Sequence, residues 1–251
     1  DEDEVSTEFY FKYRYKKENT YVVRFKDQII SALQIVPFKV KDYEDSYFIL
    51  GVSTRRDYEG QGFMKLLMNH VLEIYKDKRI YLQAYHPEIY MPFGFKESHR
   101  HILYKLDKSK YALPSSICLS QDISHLYDDY NLYVGDFGRY LIRDEDYFNN
   151  YLRKRCAAFN DSVLTFKNEY GQQGYMIYND RGKFVYISEF IYNKEYLDDI
   201  LKTISVYFYK DIRIETDCMA SIHGEKTDMI TMMCNQEDDM PLEKRYINEI
   251  Y

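Results

Sequence analysis

Gly60 and Gly62 sit one residue apart in the run YEGQGFMKLLMNHVLEIY, residues 58–75. The preceding stretch YFILGV, residues 47–52, is almost wholly apolar or aromatic. After the glycines, Phe63, Leu66, Leu67, Val71 and Ile74 recur at helical spacing. The pattern predicts a buried strand, a tight loop and a helix. N–H groups at a helix start have no intrahelical partner and lie at the positive end of the helix dipole. Glycines beside them let an anion approach the backbone, so the chemistry on offer is phosphate binding. A plain turn explains the same glycine pair equally well. A Walker loop would need Gly-Lys-Ser/Thr, and a dinucleotide fingerprint would need a third glycine where Phe63, Met64 and Lys65 stand.

The second chemical candidate lies in HPEIYMPFGF, residues 86–95, where Tyr90 could give up a phenolic proton. Tyr90 is one of 29 tyrosines, and most tyrosines pack rather than react. His86 reads as a surface residue or a ligand contact. His99 and His101 alternate around Arg100, which predicts one exposed face rather than a metal pair. Cys118, Cys156, Cys218 and Cys234 lie far apart without metal spacing and read as reduced thiols of a cytoplasmic protein. Met232 and Met233, with Met229, read as core.

These residues must be positioned by the surrounding elements. TYVVRF (20–25) and QIISALQIVPF (28–38) form a hairpin across Lys26-Asp27. RIYLQAY (79–85) alternates as a fourth strand, and ILYKL (102–106) is a fifth. FYFKYRYKK, near the start, reads as the end of a helix. Residues 107–130 are polar with weak periodicity, as in a linker. The rear half repeats the order: a helix over 143–159, three strands in SVLTFKN, QGYMIYN and KFVYISEFIY, a helix over NKEYLDDILKTISVYF, and a strand over 212–217. Two related α/β domains follow from that repeat. Between its third strand and helix the rear half has only Tyr192-Asn193-Lys194. A glycine-loop ligand therefore belongs to the front half.

The chain has 251 residues, 45% of them hydrophobic and 30% charged, which suits a globular protein. No apolar run approaches the roughly 20 residues of a membrane span, so no membrane partner is expected. The acidic start DEDEVSTEF is unlike a signal peptide, and the missing Met suggests a fragment or trimmed chain. A net charge of −7 argues against nucleic acid and leans toward small cationic partners. Monomer and homo-oligomer both stay open.

GVSTRRDYEGQGFMKLL, residues 51–67, resembles motif A of the GNAT acyltransferase superfamily, Arg/Gln-x-x-Gly-x-Gly/Ala after a strand. Gly62 is the matching central glycine. Glu59 stands where the motif has a basic or amide residue, and Met64 where it has Gly or Ala. A bulky residue at that last position is a feature of the tandem branch similar to enhanced intracellular survival acetyltransferases. HPEIYMPFGF resembles that branch's Ile-Tyr-x-x-Phe-Gly-Phe/Tyr segment. Residues 8–106 carry the likeness well; beyond them it is element order and the ending YINEIY.

The resemblance implies an α/β fold of two tandem GNAT-like domains, each a mixed, mostly antiparallel sheet flanked by helices. Its expected division is an acetyl-CoA-binding domain over 1–108 with a truncated opening helix, a linker over 109–130, and a second domain over 131–251 without the pyrophosphate loop. Longer relatives carry a sterol-carrier-like domain, for which this chain is too short. It implies an N-acetyltransferase acting on a small-molecule amine, with acetyl-CoA as co-substrate and no metal. Val52, Ser53 and Thr54 would line the pantetheine. Gly60, Gln61, Gly62, Phe63, Met64 and Lys65 would hold the pyrophosphate, with Arg55, Arg56 and Lys65 offsetting Glu59. Tyr85 and His86 would offer backbone N–H groups to the oxyanion. Tyr90 would be the general acid, and the terminal carboxylate of Tyr251 the base. Other readings keep the fold but change the donor to another acyl-CoA or an aminoacyl-tRNA, or make the chain a non-catalytic acyl-CoA or small-molecule binding protein.

Overall fold

A computed structural model describes residues 4–249. The chain divides into two compact units, residues 1–99 with 230–242 and residues 100–229 with 243–251.

The first unit begins with helix α1 (Glu4–Tyr13). Strands β1 (Thr20–Phe25) and β2 (Gln28–Pro37) form the expected hairpin. Lys26 and Asp27 both adopt positive φ, 46° and 62°, as a two-residue turn matching strand twist requires. Strand β3 (Ser46–Thr54) pairs antiparallel with β2; helix α2 (Phe63–Ile74) follows the glycine loop; β4 (Arg79–Ala84) returns parallel to β3. Helix α2 buries Leu67, Met68 and Val71 against Leu33, Ile35, Ile49 and Leu82. Leu66 and Ile74, read from spacing as part of the apolar face, are exposed, and Met68 takes their place in the core. Strand β5 (Lys96–Leu106) follows two short helical turns.

The second unit opens with β6 (Cys118–Ser120), helix α3 (Leu126–Val134) and β7 (Arg139–Tyr140). A π-helical turn over Tyr147–Leu152 runs into α4 (Arg153–Phe159). Strands β8 (Ser162–Asn168), β9 (Gly171–Asp180) and β10 (Phe184–Tyr192) form an antiparallel meander; α5 (Leu197–Tyr207) then leads to β11 (Asp211–Thr216), parallel to β10. Two further strands are β12 (Gly224–Cys234) and β13 (Arg245–Tyr246). The order β-β-β-α-β thus occurs twice, each time with one parallel pair closing around a helix.

Two boundaries differ from the sequence reading. Residues 109–130 are not a bare linker: β6 pairs with β8, and Ile117, Leu126 and Tyr130 are buried in the second unit's core. The divisions between units fall inside β5 and β12 rather than at 108 and 131. In the first unit β4 pairs antiparallel with Thr231–Cys234 of β12, and in the second Arg213–Thr216 of β11 pairs antiparallel with Ile102–Lys105 of β5. Each unit's sheet is therefore completed by a strand from the opposite half of the sequence. Arg79 fixes the chain after β12, donating to the carbonyls of Gln236 and Glu237 at 3.3 and 2.7 Å while its guanidinium lies 3.7 Å from the Tyr43 ring centroid. The charged first half of β12, Gly-Glu-Lys-Thr-Asp, hides the strand from a period-two reading.

Candidate active site

The candidate site lies in the first unit, where β3 and β4 part. Their parallel pairing runs from Ser46↔Arg79 to Ile49↔Leu82 and stops there. Strand β3 continues to Thr54 paired with β2 alone. A bulge accompanies the parting: Ala32 faces Ser53 and Gln34 faces Leu50, so Gly51 and Val52 together oppose Leu33. Gly51 has φ +62°, a conformation glycine adopts without steric cost. The sequence reading passed over Gly51, although an isolated glycine inside an apolar strand is a bulge signal. Val52 and Thr54 are half-buried and Ser53 exposed. Ser31 Oγ donates to the Ser53 carbonyl at 2.7 Å and lies 3.0 Å from Thr54 Oγ1, so these groups are tied to β2.

The glycine loop follows directly. Residues Arg56–Tyr58 make one 3₁₀ turn, and Gly60 (φ +71°) and Gly62 (φ +84°) are both left-handed. A Cβ on either would meet no atom within 4 Å, so backbone conformation, not crowding, selects glycine here. Gln61 Nε2 donates to the Asp57 carbonyl at 3.1 Å and braces the loop from within. Gly62 is the N-cap of α2, with no side-chain capping bond and no acidic residue in the first turn. The first intrahelical bond is Leu66 N–H to Gly62 O, 2.9 Å, so the N–H groups of Phe63, Met64 and Lys65 precede the helix's own ladder. Glu59 is exposed, as are Arg56 and Lys65. Arg55 reaches Gln28 Oε1 at 2.7 Å and Asp57 Oδ2 at 3.6 Å.

The second unit's corresponding helix is built oppositely. Asn193 caps α5's lead-in turn by accepting from Glu195 N–H at 3.1 Å, and Asp198 and Asp199 occupy the first turn of α5. Those carboxylates already complement the helix dipole and would repel an anion.

Beyond β4, Tyr85 is 75% exposed and His86 is exposed with Nδ1 3.2 Å from Glu88 Oε1. Two consecutive 3₁₀ turns, Pro87–Ile89 and Met91–Phe93, meet at Tyr90. Gly94, φ +87°, ends the second turn and lets Phe95 enter the core. Tyr90 is half-buried, edge-on to Phe95 at 6.4 Å between centroids. Burial raises its phenol above the ordinary tyrosine value, so the group stays protonated across physiological pH. Tyr251, the expected base, lies outside the described residues. His99 and His101, expected on an exposed face, are both buried, because β5 is an interior strand; His101 Nδ1 lies 2.9 Å from Glu215 Oε1. Among the described residues no group of three or more His, Cys, Asp or Glu could hold a metal ion, and no helix is long and apolar enough to cross a membrane.

Splayed parallel strands, a bulge and an uncapped glycine-led helix define the GNAT class of fold. Residues 1–98 match the family model described as an acetyltransferase (GNAT) domain. Solved structures of similar fold include a conserved Enterococcus faecalis protein of unknown function, described as a probable N-acyltransferase: TM-score 0.69, 13% identity, covering 93% of this chain and 66% of that one. This chain thus spans just under two thirds of that protein's length. Eis1 from Mycobacterium abscessus matches at TM-score 0.60 and 10% identity over 91% of this chain and 69% of that one. A tandem GNAT protein from the clavulanic acid biosynthesis pathway matches at 0.54 and 11% over 95% and 90%. The chain has the fold of tandem GNAT proteins. No curated protein matches it in sequence.

Proposed function

We propose that this chain is an acetyl-CoA-dependent N-acetyltransferase that acts on a primary amine of a small cationic acceptor. The observation carrying the reading is the parting of β3 from β4 after Ile49 and Leu82, directly before an uncapped helix start. An extended pantetheine would follow β3 at Val52, Ser53 and Thr54 as an added strand does. Gly60, Gln61, Gly62, Phe63, Met64 and Lys65 would present backbone N–H groups to the pyrophosphate. The N–H groups of Tyr85 and His86 would stabilise the oxyanion.

The amine must shed a proton before it attacks the thioester, and the departing thiolate must gain one. Tyr90, kept neutral by burial, is the donor to the thiolate. The net charge of −7 favours a cationic acceptor. The reading also assigns the protein to the cytoplasm.

The test is free-thiol release from acetyl-CoA across a panel of polyamines, aminoglycosides and lysine derivatives, with Tyr90→Phe beside the wild type. Turnover with one acceptor, lost largely from kcat in the variant, supports the reading. Tight acetyl-CoA binding with no turnover on any amine would leave a binding protein.

A further inference from the structure

The end of the second unit where β10 and β11 begin and β5 and β9 finish carries a surface to which nothing above assigns a role. Three loops meet there. Lys210, in the loop between α5 and β11, donates through Nζ to Asp180 Oδ1 in the β9–β10 turn at 2.6 Å. Lys108, in the turn after β5, donates through Nζ to the Phe208 carbonyl of the same loop at 2.6 Å. Phe208 is buried, its ring 5.0 Å from that of Tyr178. Its neighbours turn outward: Val206 and Tyr207 are each 50% exposed, and Tyr209 is 98% exposed. Tyr209 makes no hydrogen bond or ring contact among the described residues. All three loops supply cations: Lys108 and Lys110, Arg181 and Lys183, and Lys210. Against these five stand two carboxylates, Asp180, bound by Lys210, and Asp107, which accepts from Ser109 N–H at 3.1 Å. Arg181 and Lys183 are exposed and form no ion pair among the described residues. Lys105 with Asp211, 3.6 Å apart, and Lys226 with the adjoining Glu225 add no net charge. The three loops are thus locally cationic on a chain of net charge −7. Salt screens exposed charges beyond about 8–10 Å, so a partner at this end responds to the local cations rather than to the acidic whole.

We propose that these loops dock the second unit on an anionic lipid surface, with Tyr207 and Tyr209 at headgroup level and Lys110, Arg181 and Lys183 on the lipid phosphates. Tyrosine has an apolar body and a polar tip, which suits that boundary. Lysine and arginine reach headgroups while their stems lie along apolar surface. Val206 favours a bilayer over a nucleic acid. An aliphatic side chain gains by leaving water for acyl chains, but it offers a base no ring to stack on. The mode is peripheral, a basic and aromatic surface on anionic headgroups, and needs no spanning segment. The sequence expectation of no membrane partner rested on the lack of a long apolar run, whereas this surface is assembled from three separated loops. Nothing in it depends on the acyl-CoA reading.

The chain contains no tryptophan, so Tyr209→Trp supplies a single fluorescent reporter in the docking loop. The full chain carrying it is titrated with vesicles of phosphatidylcholine alone and of phosphatidylcholine with one-third phosphatidylserine, read by emission and by co-sedimentation. A blue shift and sedimentation with the anionic vesicles alone, both lost in high salt, are expected. Arg181→Gln with Lys183→Gln should weaken that binding about twenty-five-fold, at about fivefold per cation. All three positions are exposed, and thermal melts show that each variant is folded. Equal binding to neutral and anionic vesicles, no blue shift with either, or an affinity unmoved by the double substitution overturns the docking surface. A shift with single-stranded RNA and none with vesicles also overturns it, in favour of a nucleic-acid site.

Discussion

Gly60, Gly62 and Gly182 form a matched set for dissecting the cradle. All three have positive φ, +71°, +84° and +77°, and a Cβ on any of them meets nothing within 4 Å. Replacement by Ala therefore costs left-handed strain alone, about 1–2 kcal/mol at each position. For a chain of this size that lowers Tm by roughly 2–8 °C. A protein with the usual stability of about 5–15 kcal/mol remains folded at 25 °C after such a loss. Any change in ligand affinity is then not an unfolding artefact. At Gly62 the new methyl group enters open space at the N-cap of α2. Loss of one charge-assisted hydrogen bond there, about 1.5–3 kcal/mol, weakens acetyl-CoA by tenfold or more. Gly182 lies in the turn between β9 and β10, away from any glycine-led helix. Paired melts and calorimetry should show comparable Tm losses for Gly62→Ala and Gly182→Ala, with acetyl-CoA affinity lost only in the first. Equal affinities in the two variants would refute the reasoning.

Tyr90→Phe should reduce kcat by about 10²–10³ with little change in Tm, because the ring contact with Phe95 survives. Because burial holds the phenol above its usual value of about 10, its deprotonation should place no basic limb in the wild-type rate profile below that pH. Burial lifts Asp129 to about 6, so the folded state binds an extra proton between roughly pH 4 and 6 and stability falls as pH rises through that window. Asp129→Asn, which can still accept from Gln172, should raise stability by about 1–3 kcal/mol at pH 7.5 and by almost nothing at pH 4, read from urea melts. Gly174→Ala should prevent folding, since its Cβ would lie 2.1 Å from the Ile191 carbonyl oxygen. Arg143→Met strands Glu189, whose carboxylate lies 2.7 Å from the guanidinium and is fully buried, and should cost about 3–5 kcal/mol in chemical denaturation.

The local features were legible because their causes are local. The β1–β2 hairpin followed from Lys26-Asp27, the helix after Gly62 from apolar spacing, and the glycine-free lead-in to α5 from Tyr192-Asn193-Lys194. The strand exchange was not legible. β12 gains its place in the first unit by pairing Thr231–Cys234 with Tyr81–Ala84, and no short-range pattern encodes a partner about 150 residues away. His101 misled for a related reason: alternation around Arg100 reports a strand, but its burial depends on Glu215 of β11.

The most direct measurement follows backbone amide resonances as acetyl-CoA is added, comparing Phe63, Met64 and Lys65 with Leu197, Asp198 and Asp199. The account predicts saturable shifts at the start of α2 and none at the start of α5. Equal shifts at both helices, or none at either with saturating acetyl-CoA, would contradict it.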